Sequence, residues 1–270
     1  MKITAALAAF LLALGASAPR IDAQQPRTVL ITGSNRGLGL EFTKQYAAAG
    51  WNVIATARDV SGAKELRALA SGNPRITLEK LDLLDRPGIK ALAARYRSRP
   101  IDVLLNNGGL LGDMKAQQLG SLDYKQFEEV MAVNVYAPLA MAEAFADSVA
   151  ASTQKKIVSM TSRSGIISQP GYRGPYYYRA SKTGLNMVTR MLADDLRERG
   201  IIVATISPPP TETDMLRALI GPEGASRQAK ADVIARLIKV IDGLTLESSG
   251  ADVRPRDEAA LVELSMVGRI

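Results

Sequence analysis

From Thr28 onward, short apolar runs and amphipathic runs take turns along the chain. TVLIT (28–32) is continuously apolar and β-branched and ends at Gly33; Leu38, Phe42 and Tyr46 then recur every four residues until Gly50. A short apolar run followed by a helical repeat reads as a strand feeding a helix. The unit recurs. NVIAT (52–56) precedes a polar helix over about 63–70, ITLEKL (76–81) a helix over 89–96, and DVLLN (102–106) a long helix over 124–149. KIVSMT (156–161) precedes a helix over 177–199, and IIVATI (201–206) is a sixth strand. Val- and Ile-rich strands separated by helices predict an α/β fold with a doubly wound parallel sheet, covered on both faces and joined by right-handed crossovers. No repeat or low-complexity tract divides residues 27–270, which read as one domain. The pattern fades after Gly243, and 244–270 offers no clear seventh strand.

Residues 1–26 follow a different pattern. Met1-Lys2 is a short positive start, Ile3 to Gly15 is an uncharged, mostly apolar run of 13 residues, and Ala16-Ser17-Ala18 is a small-residue triplet. That order is typical of an export signal, and the run is shorter than the roughly 20 apolar residues of a membrane span. A cleaved signal would place the mature chain in a periplasm-like compartment. An over-extended or uncleaved start would leave it cytoplasmic.

Composition narrows the chemistry. With 47% hydrophobic and 23% charged residues the chain is globular rather than disordered. It contains no Cys and no His, which removes disulfides, Cys/His metal sites, thiolate nucleophiles and imidazole-based triads. Acid–base work falls to Tyr, Lys, Asp or Glu, and no metal is expected. The net charge of +7 is scattered and aromatics are only 5%, so the basic residues read as surface and not as a nucleic-acid groove.

In a doubly wound sheet, ligands bind beyond the carboxyl ends of the strands. After the first strand comes Thr32-Gly33-Ser34-Asn35-Arg36-Gly37-Leu38-Gly39. Three glycines allow a tight turn and close approach of a pyrophosphate to the free N–H groups of the following helix. After the second strand stand Ala57 and Arg58, where a carboxylate would hold a ribose 2′-OH. Two guanidiniums, Arg36 and Arg58, with no acid at that corner favour a 2′-phosphate, and therefore NADP(H) over NAD(H).

Tyr178 and Lys182 lie four residues apart on a predicted helix and so share one face. An ammonium beside a phenol stabilises phenolate and brings its pKa toward a useful range. Tyr176 and Tyr177 precede the pair, so packing alone could account for the cluster. Taken with TGSNRGLG (32–39), LD (81–82), NNGG (106–109), VNV (133–135), TSRSG (161–165), YRASK (178–182) and the segment from Pro208 to Met215, the chain resembles the short-chain dehydrogenases/reductases. The likeness covers most of residues 28–243 and is greatest to the C-factor-type, carbonyl reductase-like branch.

The resemblance implies a role for each matching position. Tyr178 would be the general acid/base, with Lys182 lowering its pKa and hydrogen-bonding the nicotinamide ribose. Ser162 would hold the substrate oxygen, and Asn134 a water linking Lys182 to solvent. Asp82 would contact adenine, Asn106 would form the turn after the fourth strand, and Thr213 would meet the carboxamide. Leu83, Pro208 and Thr211 complete the cofactor set. The partner would be a small-molecule carbonyl or alcohol. Family members often associate through the long helices at 124–149 and 177–199, so a homo-oligomer is an open expectation. A lid over 214–230 would present Leu216, Leu219 and Ile220, with Met114, Tyr172 and Tyr176 on the opposite wall. Pro208-Pro209-Pro210 replaces the usual Pro-Gly, and Gly109 the usual Ala. The competing expectation is a nucleotide-binding signalling protein of the same fold with little turnover.

Overall fold

The computed structural model describes residues 26–168, 174–221 and 227–254. The export-type segment and Tyr172 therefore lie outside the described residues, and the lid segment is described only in part. Among the described residues no helix is long and apolar enough to cross a membrane.

Among the described residues seven parallel strands form one sheet: β1 (Thr28–Ile31), β2 (Asn52–Ala57), β3 (Ile76–Lys80), β4 (Val103–Asn106), β5 (Lys156–Met160), β6 (Ile202–Ile206) and β7 (Asp252–Val253), in the order β3-β2-β1-β4-β5-β6-β7. The order reverses between β1 and β4, the crevice where doubly wound sheets bind ligands. The helices are α1 (Gly37–Ala48), α2 (Lys64–Ser71), α3 (Arg86–Arg95), α4 (Tyr124–Met131), α5 (Ala137–Ala150), α6 (Tyr176–Asp195), α7 (Asp214–Ile220) and α8 (Lys230–Asp242).

The strands read as continuous apolar runs because both faces are covered, and alternate residues serve opposite cores. Val29, Ile31, Val103 and Leu105 join Phe42, Tyr46 and Leu237 on the α1/α8 side. Leu30 and Leu104 join Leu92, Met141 and Phe145 on the α3/α5 side. Period-2 alternation within an apolar run is what a two-faced parallel sheet requires.

Two expectations are corrected. The helix foreseen over 124–149 is two helices joined by a π turn at Ala132–Tyr136. Pro138 has no N–H to offer the carbonyl of Asn134 four residues earlier, so the regular ladder is interrupted and the chain takes a wider turn. A seventh strand also exists, Thr205 pairing with Asp252 and Ile206 with Val253. It is only two residues long and follows Gly250 at φ +87°, too short for any hydrophobic period to reveal.

Candidate active site

The carboxyl ends of the strands open on a cleft of about 960 Å³. Its floor begins with the turn from β1 to α1. Gly33 (φ +69°) and Gly37 (φ +60°) adopt the left-handed conformation that glycine tolerates. A Cβ on Gly33 would lie 2.8 Å from Gly108 Cα, whereas one on Gly37 would meet no protein atom within 4 Å and point into open space. A Cβ on Gly39 would overlap the Gly33 carbonyl oxygen, so α1 can start this close to the turn only with glycine there. The N-cap residue of α1, Arg36, makes no side-chain hydrogen bond to its first turn. The N–H groups of that turn are left as an anion cradle.

The NNGG segment locks this turn from beside it. Asn107 Nδ2 donates to the carbonyls of Thr32 (2.9 Å) and Gly33 (3.2 Å), and Gly108 N–H donates to Thr32 Oγ1 (2.9 Å). Asn107 was not singled out from sequence, although its place beside Asn106 in the motif was the available signal. Asn106 itself is buried away from the cleft, its Nδ2 donating to Ser159 Oγ at 3.3 Å. Ser34 is likewise buried, with Oγ donating to the Ile31 carbonyl at 3.0 Å. Its side chain supports the turn and does not line the cleft.

Gly33, Asn35, Arg36, Gly37, Leu38, Gly39, Arg58, Asp82, Leu83, Pro208, Thr211 and Thr213 all line the cleft. At the corner where the sequence reading expects the ribose 2′ group, Arg58 is exposed and Arg36 sits 3.8 Å from Asp214, both largely solvated. The corner is not free of acid, because Asp59 also lines it. Asp59 Oδ1, however, accepts from Ser61 Oγ (2.6 Å) and Gly62 N–H (3.0 Å), and these hydrogen bonds hold its carboxyl below the usual range. Asp82 spends one oxygen in the same way on Leu84 N–H, at 3.0 Å.

The opposite wall carries the reactive side chains. Ser162 caps the short turn Arg163–Gly165 by accepting from Ser164 N–H at 3.1 Å. A Cβ on Gly165 would come within 2.8 Å of the Lys182 carbonyl carbon. The glycine of the S-x-x-G pattern thus lets this turn lie directly on α6. Thr161 Oγ1 to Asn186 Oδ1 (2.5 Å) and Thr183 Oγ1 to the Gly165 carbonyl (3.1 Å) sew the two together. The outcome brings Ser162 and Tyr178 to one wall of the cleft, with Lys182 Nζ 5.6 Å from the phenol ring centre.

The three consecutive tyrosines separate cleanly. Tyr176 is half exposed; Tyr177 is buried, stacks on Phe127 at 4.8 Å and donates to the Ala116 carbonyl at 2.6 Å. Only Tyr178 lines the cleft. The expected lowering of its phenol by Lys182 is not what the structure gives: burial pushes the phenol above the ordinary value, and only the neighbouring Ser162 hydroxyl opposes that shift. Lys182 is itself buried, donates to the Met160 carbonyl at 2.8 Å, and is pushed down to about 8 by burial.

Asn134 does not line the cleft. Its Oδ1 accepts from Leu110 N–H (2.7 Å), and its Nδ2 donates to the Leu110 carbonyl (2.8 Å) and to Ser181 Oγ (2.9 Å). Both amide protons are committed within the protein, which makes the side chain a clamp on the loop after NNGG. Leu216, Leu219 and Ile220 do line the cleft from α7, whereas Met114 and Tyr176 stand outside it.

The buried ammonium has a consequence for stability. A lysine with a folded-state value near 8 and an unfolded value near ~10.4 leaves the unfolded chain holding more protons between those pH values, so stability rises with pH there. Wild type should therefore gain on Lys182→Met, by up to about 3 kcal/mol, as pH rises from 7 to 10. Melting temperatures of both proteins at pH 7, 8.5 and 10 check this. A constant difference would mean that the ammonium is not strained by burial.

A family model described as short chain dehydrogenase matches residues 27–223. C-signal of Myxococcus xanthus is 33% identical over 162 residues, 60% of this chain and 93% of that protein. The 1-hydroxy-2-glutathionyl-2-methyl-3-butene dehydrogenase of Rhodococcus sp. (strain AD45) is 30% identical, over 83% of this chain and 94% of its own length. Among solved structures, NADPH-bound carbonyl reductase from chicken fatty liver superposes with a TM-score of 0.77 at 31% identity, over 85% of this chain and 96% of that one.

Proposed function

The chain belongs to the short-chain dehydrogenase family, and we propose that within it this protein is an NADP(H)-dependent reductase of a small carbonyl compound. The observation that carries the reading is the meeting of Ser162, Tyr178 and Lys182 on one wall of a cleft whose floor is an uncapped helix start behind three glycines.

The residues present fit a nicotinamide dinucleotide. The open space at Gly37 and the unpaired N–H groups of α1 suit a pyrophosphate. Asp82 and Leu83 flank the adenine end, Arg36 and Arg58 the 2′ corner, and Pro208, Thr211 and Thr213 the nicotinamide end. When bound, the cofactor supplies the hydride. The protein's share is the proton. Because burial raises the Tyr178 phenol, the group is protonated at neutral pH, the form needed to protonate a carbonyl oxygen during reduction. Ser162 Oγ, on the same cleft wall as that phenol, can hold the same oxygen. Lys182, largely charged at pH 7, contributes positive potential where the phenol gives up its proton.

Consumption of NADPH by purified protein with a panel of aldehydes, ketones and quinones tests the reading. Tight NADPH binding with no turnover on any of them would instead make the protein a nucleotide-binding member without enzymatic activity. The cofactor preference has its own test. Arg58→Asp should weaken NADPH roughly 10- to 100-fold, the worth of a hydrogen bond to a charged group, while NADH changes little. Equal losses for both nucleotides in a titration would remove Arg58 from the 2′ corner.

A further inference from the structure

The helix that bears Tyr178 begins without a cap of its own. Pro175 occupies the N-cap position of α6 and offers no side-chain acceptor, although the first-turn N–H groups need one. The acceptor comes from 60 residues away. Gln117 Oε1 accepts from Tyr177 N–H (3.0 Å) and Tyr178 N–H (3.1 Å). Its Nε2 donates to the carbonyls of Leu111 (2.8 Å) and Asp113 (3.3 Å). The side chain is only 1% exposed, and all four of its hydrogen-bonding positions are used. Gly112, at φ +79°, brings the backbone so near that a Cβ there would lie 2.8 Å from Gln117 Nε2.

These bonds close a ring around the backbone of Tyr178. From Tyr178 N–H it passes through Gln117 to Leu111, along the chain to Leu110, and through Asn134 to Ser181. Ser181 Oγ then donates to the Tyr178 carbonyl at 2.8 Å. One loop, 110–117, is therefore fixed to both the amide and the carbonyl of the residue whose phenol faces the cleft.

We propose that Gln117 is a positioning residue for Tyr178, acting as a remote cap that sets where α6 begins and so holds the phenol against Ser162. The proposal rests on the reading of Tyr178 as the general acid. Removing the amide frees two helix N–H groups and two loop carbonyls, and displaces the phenol without touching the cofactor cradle. Glutamate at 117 keeps an acceptor for both N–H groups, and in its protonated form, which burial against the Leu111 and Asp113 carbonyls favours, its O–H replaces the stronger of the two donor bonds.

Gln117→Leu and Gln117→Glu, measured well below their melting temperatures, form the test. The leucine variant should lose kcat by about tenfold or more with NADPH affinity unchanged, and the glutamate variant should recover most of that loss. Hydrogen exchange at the Tyr177 and Tyr178 amides provides a readout independent of turnover. Exchange should accelerate at least about tenfold in Gln117→Leu and return toward wild type in Gln117→Glu. Unchanged amide protection in the leucine variant would overturn the cap even if no substrate were turned over. Altered protection with unchanged kcat would overturn its bearing on catalysis. Should the leucine variant fail to fold, the glutamate variant decides alone: protected amides with near wild-type kcat support the proposal, and exposed amides or a lost kcat in a folded protein overturn it.

Discussion

Tyr178→Phe is expected to lower kcat by about 10²- to 10⁴-fold, the usual worth of a positioned general acid, while leaving NADPH affinity nearly unchanged. The substitution keeps the buried ring and removes only the phenol oxygen of a residue that lines the cleft with Ser162. Ser162 keeps its bond from Ser164 N–H, so the wall should not collapse. The neighbours serve as controls. Tyr176→Phe alters a half-exposed residue and should change little. Tyr177→Phe removes the bond to Ala116 and should cost stability before rate. The decisive measurement is single-turnover NADPH oxidation by wild type and the three variants. A Tyr178→Phe protein retaining more than about a tenth of wild-type kcat would show that the proton comes from elsewhere.

The second large effect lies at the glycine turn, where two substitutions that look alike on paper should behave differently. In Gly39→Ala the new methyl overlaps the Gly33 carbonyl oxygen and comes within 2.5 Å of Asn107 Nδ2. The turn, the start of α1 and the Asn107 lock must all shift. Overpacking of this kind costs about 1–3 kcal/mol and destroys the cradle, so both melting temperature and NADPH binding should fall. In Gly37→Ala the methyl meets no protein atom. The left-handed backbone costs about 1–2 kcal/mol, and the methyl occupies space intended for the ligand. Binding should fall more than stability does. Thermal melts and NADPH titrations of both variants separate the cases. A Gly39→Ala protein that binds NADPH as well as wild type would mean that the cradle is elsewhere.

Strand positions such as Leu104 and helix positions such as Phe42 were readable because burial on both sheet faces imposes an apolar period that survives in one dimension. The glycine turn, Arg58 and the Tyr178/Lys182 pair were readable because each rests on a local backbone need or an i, i+4 spacing. The break at 132–136 had a signal in Pro138, but an otherwise helical period masked it. The short β7 had none, since two residues carry no period.

The one-dimensional pattern carried the alternating strands and helices, the family, the glycine turn after the first strand and which side chains could do acid–base work in a chain without His or Cys. These rest on local geometry and short-range period. Three-dimensional packing alone settled that Tyr177 buries against Phe127 and that Asp59 lines the cleft beside Arg58 while folding back on its own turn. It likewise decided that the amide protons of Asn134 serve Leu110 and Ser181. It alone joined Gln117 to the start of α6. Such facts depend on hydrogen bonds between residues tens of positions apart, and a buried amide takes whatever partners the packed chain brings to it.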